Sequence, residues 1–433
     1  MVAPTKTIGG PDASSDDALP NPVKAEKSLW KSSPAIGAGL LLTLSSSFGQ
    51  TFFLSLFGGV WRQTFELSHG AFGGLYAGAT LASAVALLAL GKSVDHARPR
   101  YLALALLLLT ALSAYWVSTA ASVWALGSGL FAMRLLGQGL LSHVAMTSIA
   151  KWFSTTRGRA LSIAMLGYPI GEALLPYTAA SVMAALNWQA VWIAVACVTS
   201  FVLAPIVFNL SKRAEAGAGD KTTVSPGLSS SDEHEWSRRE ALRDWRFYAA
   251  CPGLLASPFI ITSVFFHQAH LAEIKGWTLG GFAALYPLYA VFSITAGLVC
   301  GFAVDKVGTR NVLPYFLVPL AAVISLAGLS NSLVVGAAMM AMLGATAGMA
   351  TVLYTSIWSE MYGTHHLGAI RSVAHSALVF SSALGPVLTG AGLDIGISID
   401  TQMKAMAGYA LLCCVLFSLL RTHLVRRAPN SIP

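Results

Sequence analysis

The sequence predicts an all-α integral membrane protein with twelve transmembrane helices in two pseudo-symmetric six-helix bundles. Three observations predict it. First, of 433 residues 55% are hydrophobic and only 11% charged, with a mean hydropathy of +0.65, against about 25% charged in a soluble domain. Second, apolar runs of 18 or more residues recur along the chain, long enough to cross the bilayer as helices that satisfy their own backbone. Third, a constant offset of 210 residues superimposes one half of the chain on the other. It carries Phe72, Leu75 and Tyr76 onto Phe282, Leu285 and Tyr286, and Gly91, Val94, Asp95 and Arg100 onto Gly301, Val304, Asp305 and Arg310. Further on, Gly158 meets Gly368, Ala173 and Leu174 meet Ala383 and Leu384, and Pro176 meets Pro386. One register kept across Gly, Asp, Arg and Pro is a duplication rather than chance likeness among Leu-rich helices, and such halves meet at a central interface.

In chain order, residues 1–33 are polar, with Asp12, Asp16, Asp17 and several prolines, and are expected to form a disordered tail with no cleavable signal. Residues 34–210 are expected to form the first bundle, with spans near 36–58, 71–90, 101–120, 122–150, 160–185 and 189–210. A Gly-, Ser- and charge-rich stretch, 211–246, is expected to be a mobile linker. The second bundle, 247–421, has spans near 249–272, 280–300, 311–330, 333–358, 372–392 and 402–421, followed by a tail at 422–433. Of 27 Lys and Arg residues, 23 fall in the tails, the linker and the even-numbered loops. Only Arg62, Lys275 and Lys404 lie on the opposite face, and Arg134 lies within a span. The excess of cations on one face predicts that both termini and the linker are cytoplasmic, in a multi-pass protein of the plasma (inner) membrane. The net charge of +8 is thereby explained by topology, and no nucleic-acid partner is expected. The five cysteines lie in or beside apolar segments at spacings that match no metal site.

Two loops repeat a pattern: G-K-S-V-D-H-A-R-P-R (91–100) after span two and G-F-A-V-D-K-V-G-T-R (301–310) after span eight. A Gly that lets helices approach, an Asp at a helix end and trailing cations make a charge-clamped turn. The pattern resembles the G-x-x-x-D-R-x-G-R-R loop of the major facilitator superfamily; the second copy fits it better, since His96, Arg98 and Pro99 depart from it in the first. The resemblance covers nearly the whole chain. It implies two bundles rocking about a central cavity lined most directly by spans one, four, seven and ten. It also implies gating roles for Gly91, Asp95, Arg100, Gly301, Asp305 and Arg310. A further stretch, K-W-F-S-T-T-R-G-R-A-L (151–161), is similar to the W-F-x-x-x-R-G-x-A pattern of the monocarboxylate and oxalate–formate carriers. The charges those carriers place in spans eight and eleven are missing here apart from Arg371.

A charge at bilayer depth is costly unless paired or hydrated, so intramembrane polar residues are the candidates for substrate binding or coupling. Arg134 opens R-L-L-G-Q-G-L (134–140), which resembles the superfamily's R-x-x-x-[QG]-G motif in span four and brings Gln138 with it. Glu172, in G-Y-P-I-G-E (167–172), is expected at similar depth, either exchanging with a solute for Arg134 or tying span five to span four as a buried pair. Gln50 lies mid-depth in span one, and Tyr168 carries a hydroxyl on an apolar body. In span seven, His267 and His270 form an H-x-x-H without a third ligand, so a cavity-mouth or interfacial role is expected for His267 rather than metal binding. His143 and His375 are expected to bond neighbouring helices.

No Walker loop, catalytic triad or metal cluster is recognisable, so no enzyme, cofactor or metal is expected. The expected function is secondary active transport of a small organic solute, an anion such as a monocarboxylate, coupled to protons, by a monomer. Two alternatives stand beside it. One is an efflux pump for drugs or metabolites, although Glu172 follows Gly171 where the antiporter motif has Pro. The other is a non-transporting membrane sensor, which would need a larger soluble domain than either tail or the linker provides.

Overall fold

The computed structural model describes residues 33–90, 98–153, 157–217, 236–363 and 366–424, and among them every regular element is a helix. Among the described residues eight helices are long and apolar enough to cross a membrane: His69–Leu90, Pro99–Ser118, Trp188–Ala216, Trp245–Phe266, Leu279–Val307, Leu333–Tyr362, Leu367–Asp394 and Ile399–Leu420. These are spans two, three, six, seven, eight, ten, eleven and twelve. Span one is a pair, Ser33–Gly49 and Thr51–Thr64, bent by 45°. Spans four (123–152), five (157–185) and nine (309–327) are each interrupted. The repeat is visible in the boundaries: span four runs 123–152 and span ten 333–362, an offset of 210 at both ends.

The packing is symmetric in the same sense. Span three packs on span six in the first half, and span nine on span twelve in the second. Between the halves, span two packs on span eleven and span five on span eight, contacts that exchange under the repeat. Small residues allow the approach: a Cβ at Gly73 would lie 2.6 Å from the Pro386 carbonyl, and one at Gly390 2.5 Å from that of His69.

Two of these irregularities have no counterpart at the matching positions of the second half. Span one breaks where Gln50 turns extended (φ −79°, ψ 153°), and span four changes to π-helix over Arg134–Leu141. The two irregularities face each other, since a Cβ on Gly137 would lie 2.9 Å from the Gly49 Cα. Non-helical backbone at membrane depth is tolerated only inside protein or against a cavity, and π-bulges recur at functional sites.

The expected linker is ordered at both ends. Helix continues to Gly217, and beyond Trp236 a short helix, Arg238–Ala241, carries a Ser237–Glu240 capping box. Trp236, 2% exposed, packs edge-on against Tyr362 at 5.2 Å. Asp244 pairs with Arg246 at 2.7 Å and accepts from the Tyr362 hydroxyl at 3.2 Å. A buried Trp and a satisfied ion pair fix what charge and Ser content suggested would be loose. Of the expected tails, residues 1–32 and 425–433 lie outside the described residues, as does the first gating loop from 91 to 97.

Candidate functional site

A cavity of about 340 Å³ lies between spans one, two, four, five and eleven. It opens towards the face that carries the linker, where His143, Met146 and His375 are exposed at its rim. At the opposite, far face the halves are closed on each other.

Arg134, at the inner end of the cavity, is 4% exposed. Its position follows from both backbone irregularities. The Phe53 N–H turns to Gln50 O at 3.2 Å, which frees the Gly49 carbonyl to accept from Arg134 Nη1 at 3.2 Å. The same nitrogen lies 3.4 Å from Thr51 Oγ1, whose hydroxyl is bonded to that of Tyr76 at 2.6 Å. The Tyr76 ring sits 5.1 Å below the guanidinium carbon, a cation–π contact. Among the described residues no carboxylate lies within ion-pair distance of Arg134, and its Nε has no hydrogen-bond partner. Nearby, the buried hydroxyl of Thr80 is also unpartnered. Gln50, Gln138, Ser83, Tyr168 and Ser382 complete a polar lining, with the Tyr168 hydroxyl beside Ser142 and Ser46. Such a site offers a fixed positive charge and uncharged hydrogen-bonding groups.

Four of the expected residues, Arg134, Gln138, Gln50 and Tyr168, thus meet in one place. Glu172 does not join them. Among the described residues it makes no ion pair or hydrogen bond, and it lies within electrostatic reach of Tyr168, one turn back on its own helix, and of Tyr286 and Tyr289 on span eight. The reason is the small-residue seam beside it. A Cβ at Gly167 would strike Thr43 and the Leu40 carbonyl, and one at Gly171 would strike Ser47. That seam locks span five onto span one rather than span four and turns Glu172 towards the second half. The ion pair between Glu172 and Arg134 is therefore absent from this conformation. His143 and His375, expected in helix–helix bonds, instead flank the cavity mouth.

His267 is buried in the far-face closure, with Nδ1 3.0 Å from the Ser263 carbonyl. Two residues that the sequence did not single out hold that closure. Gln268, fully buried, donates to Phe52 O at 3.0 Å and to Ser55 Oγ at 2.7 Å, and accepts from the Tyr286 hydroxyl at 2.8 Å. It bridges the broken span one to spans seven and eight. Asp394, at the end of span eleven, accepts from the N–H groups of His69 (2.9 Å) and Gly70 (2.8 Å) and from Ser68 Oγ (2.7 Å). A carboxylate from one half thereby caps the helix of the other. An Asp and a Gln at the right helix ends were visible in the sequence, but only the packing of span two on span eleven gives them partners.

At the linker face, Asp305 is exposed and makes no ion pair among the described residues. Gly301, expected to allow close helix approach, faces open space, since an added Cβ would touch nothing within 4 Å. The turn is made by Gly308 (φ +83°), and Glu360 of span ten accepts from the Thr309 N–H at 2.8 Å and from its hydroxyl. Arg310 is half-buried. In the first half Arg100 pairs with Glu215, Nε to Oε2 at 3.4 Å, joining span three to span six. Gly91 and Asp95 lie outside the described residues. Among the described residues no group of three His, Cys, Asp or Glu is arranged to hold a metal ion.

The architecture recurs in solved structures. A bacterial homologue of the human lysosomal transporter Spinster, in an inward-facing and occupied conformation, superimposes with a TM-score of 0.70 at 16% identity, over 94% of this chain and 99% of that one. The nucleoside transporter NupG superimposes with a TM-score of 0.68 at 12% identity, over 89% of this chain and 98% of that one. At such identities the likeness is one of fold. In sequence, an uncharacterized 38 kDa protein in the 23S RNA operon of Thermoproteus tenax is 27% identical over 270 residues, a match that spans 62% of each chain. The Major Facilitator Superfamily matches residues 39–386 and 253–433, which together take in both bundles and the cavity between them. With its duplicated halves and its central cavity, the chain belongs to the Major Facilitator Superfamily and is a membrane transporter, not an enzyme.

Proposed function

We propose that the protein carries a small organic anion, of the monocarboxylate class, across the plasma membrane by alternating access coupled to protons, with the linker face cytoplasmic. The observation that carries this reading is Arg134: a buried guanidinium at the inner end of a cavity of about 340 Å³, with no carboxylate partner and an unpartnered Nε. A fixed buried charge calls for a counter-charge, and a carboxylate solute supplies one in the geometry a guanidinium fork fits. The cavity volume suits a compact solute. The cation excess on the linker face supports its cytoplasmic assignment, which makes this conformation inward-open. The Trp152–Phe153 stretch, similar to that of monocarboxylate carriers, supports the solute class.

The test is uptake of labelled formate, oxalate, lactate and benzoate into proteoliposomes, with uridine as an uncharged control, with and without an inward proton gradient. Accumulation of at least one carboxylate driven by the gradient, and none of uridine, is expected. Transport of uridine in preference to every carboxylate would overturn the assignment.

A further inference from the structure

The far-face closure holds a second set of titratable groups that the solute cavity does not use. His69, opening span two of the first half, packs edge-on against His270 of the second half, with ring centroids 4.4 Å apart at 63°. It also stacks on His267 at 6.0 Å and 30°. Arg62 of span one lines the same cleft, and its Nε, like His267 Nε2, is buried without a hydrogen-bond partner. Two acids face the cluster. The Asp394 carboxylate of span eleven is engaged by Ser68, His69 and Gly70. Glu273, largely exposed, stands 3.9 Å from His270 Nδ1. Three imidazoles and a guanidinium therefore meet where the two halves touch, with His69 on one side and His267 and His270 on the other.

We propose that this cluster is the proton-binding site of the transport cycle: protons arriving from the outer face charge the imidazoles, and the repulsion of His69 from His267 and His270, beside Arg62, opens the outer gate. The proposal rests on the reading of the far face as external and of the carrier as proton-coupled. Neutral imidazoles pack face and edge without penalty, whereas imidazolium ions at these separations repel each other and Arg62, least screened at His267, which is buried. The open state, in which the halves part and water enters, binds the protons better. Opening then takes up protons, and the open fraction grows by up to about tenfold per pH unit for each proton taken up.

The experiment is a distance measurement on purified protein without solute. Spin labels are placed at Gln63→Cys and Ile395→Cys, exposed positions on opposite halves at the far face, in a background freed of native thiols. The protein is then taken from about pH 8 to about pH 5, across the imidazole range. The long-distance population is expected to rise as pH falls, and the combined His69→Gln, His267→Gln, His270→Gln protein is expected to stay closed throughout. Single His270→Gln, at a half-buried position, serves where the combined protein folds poorly and should lose part of the slope. Asp394→Asn should open the gate at every pH while keeping the slope. A flat response in the unsubstituted protein, an unchanged response in the histidine variants, or a slope lost with Asp394→Asn would each overturn the proposal. No solute is present, so a distance response that persists while no anion is carried would count against the anion reading alone.

Discussion

Arg134→Gln removes a buried charge that no carboxylate balances, and this sets an unusual expectation: lost binding with little loss of stability. A bound carboxylate takes up to two charge-assisted hydrogen bonds from a guanidinium, each contributing about 1.5–3 kcal/mol. The substitution should therefore cost about 3–6 kcal/mol of binding, or roughly 10²–10⁴ in affinity. On the stability side, the empty protein loses the bond to the Gly49 carbonyl, about 1.5–3 kcal/mol, and the ring contact with Tyr76, about 0.5–2 kcal/mol. It also escapes the cost of a midplane arginine, about 2.5–3.5 kcal/mol on insertion scales. Losses and gain nearly cancel, and a residue of about 1 kcal/mol moves the melting temperature of a chain this long by only about 2–4 °C. The assay is thermal unfolding in detergent with and without a transported carboxylate. At a hundred times its dissociation constant the solute should stabilise the unsubstituted protein by about 2.7 kcal/mol, and the variant hardly at all. An equal shift in both proteins would show that Arg134 does not hold the solute. A variant that melts far lower without solute would show that the guanidinium has an acidic partner after all.

Three further outcomes follow from the structure. Gly167→Ala should cost about 1–3 kcal/mol by overpacking span five against Thr43 and the Leu40 carbonyl, read as a lower melting temperature; an unchanged value would mean the seam is looser than described. Asp305→Asn should slow turnover without lowering the melting temperature, because the exposed carboxylate has no partner in this conformation and is proposed to act only when the linker face closes; normal turnover would reduce the loop to topology. Reporter fusions at Pro433 and within 218–235 should both read as cytoplasmic, and an external readout at either point would reverse the orientation.

The sequence revealed the architecture because bilayer thickness dictates span length and the duplication left residues such as Pro176 and Pro386 in one register. Arg134, Gln138, Gln50 and Tyr168 were legible because an intramembrane polar residue is costly wherever it points. Direction was not legible. Glu172 sits at the right depth to reach Arg134, but a helix rotation fixed by Gly167 and Gly171 aims it at the second half, and no periodicity in the sequence specifies which neighbour a glycine seam will meet. Gln268 and Asp394 stayed hidden for a related reason, since their partners are more than 200 residues away in the chain. The order of the linker's second end came from Trp236, a buried aromatic residue inside a stretch whose charge content suggested mobility.

The two copies of span four have been put to different uses. Where the first half has Arg134 and Gln138, the second has Gly344 and Gly348, and a Cβ at either would land on a backbone carbonyl of span eight, Tyr289 or Ser293. Span ten is thus fused to its neighbour by contacts that tolerate no side chain, while its twin is loosened by a π-turn and faces open space. A duplicated carrier of this kind is expected to change its diet through one half: substitutions at Gln50, Thr80 or Gln138 should reshape recognition, whereas Gly344 and Gly348 of the other half admit no side chain. Selection for a new solute should accordingly leave its record mostly in the first bundle, and in the second chiefly at His375, Val379 and Ser382 of span eleven, which share the cavity wall.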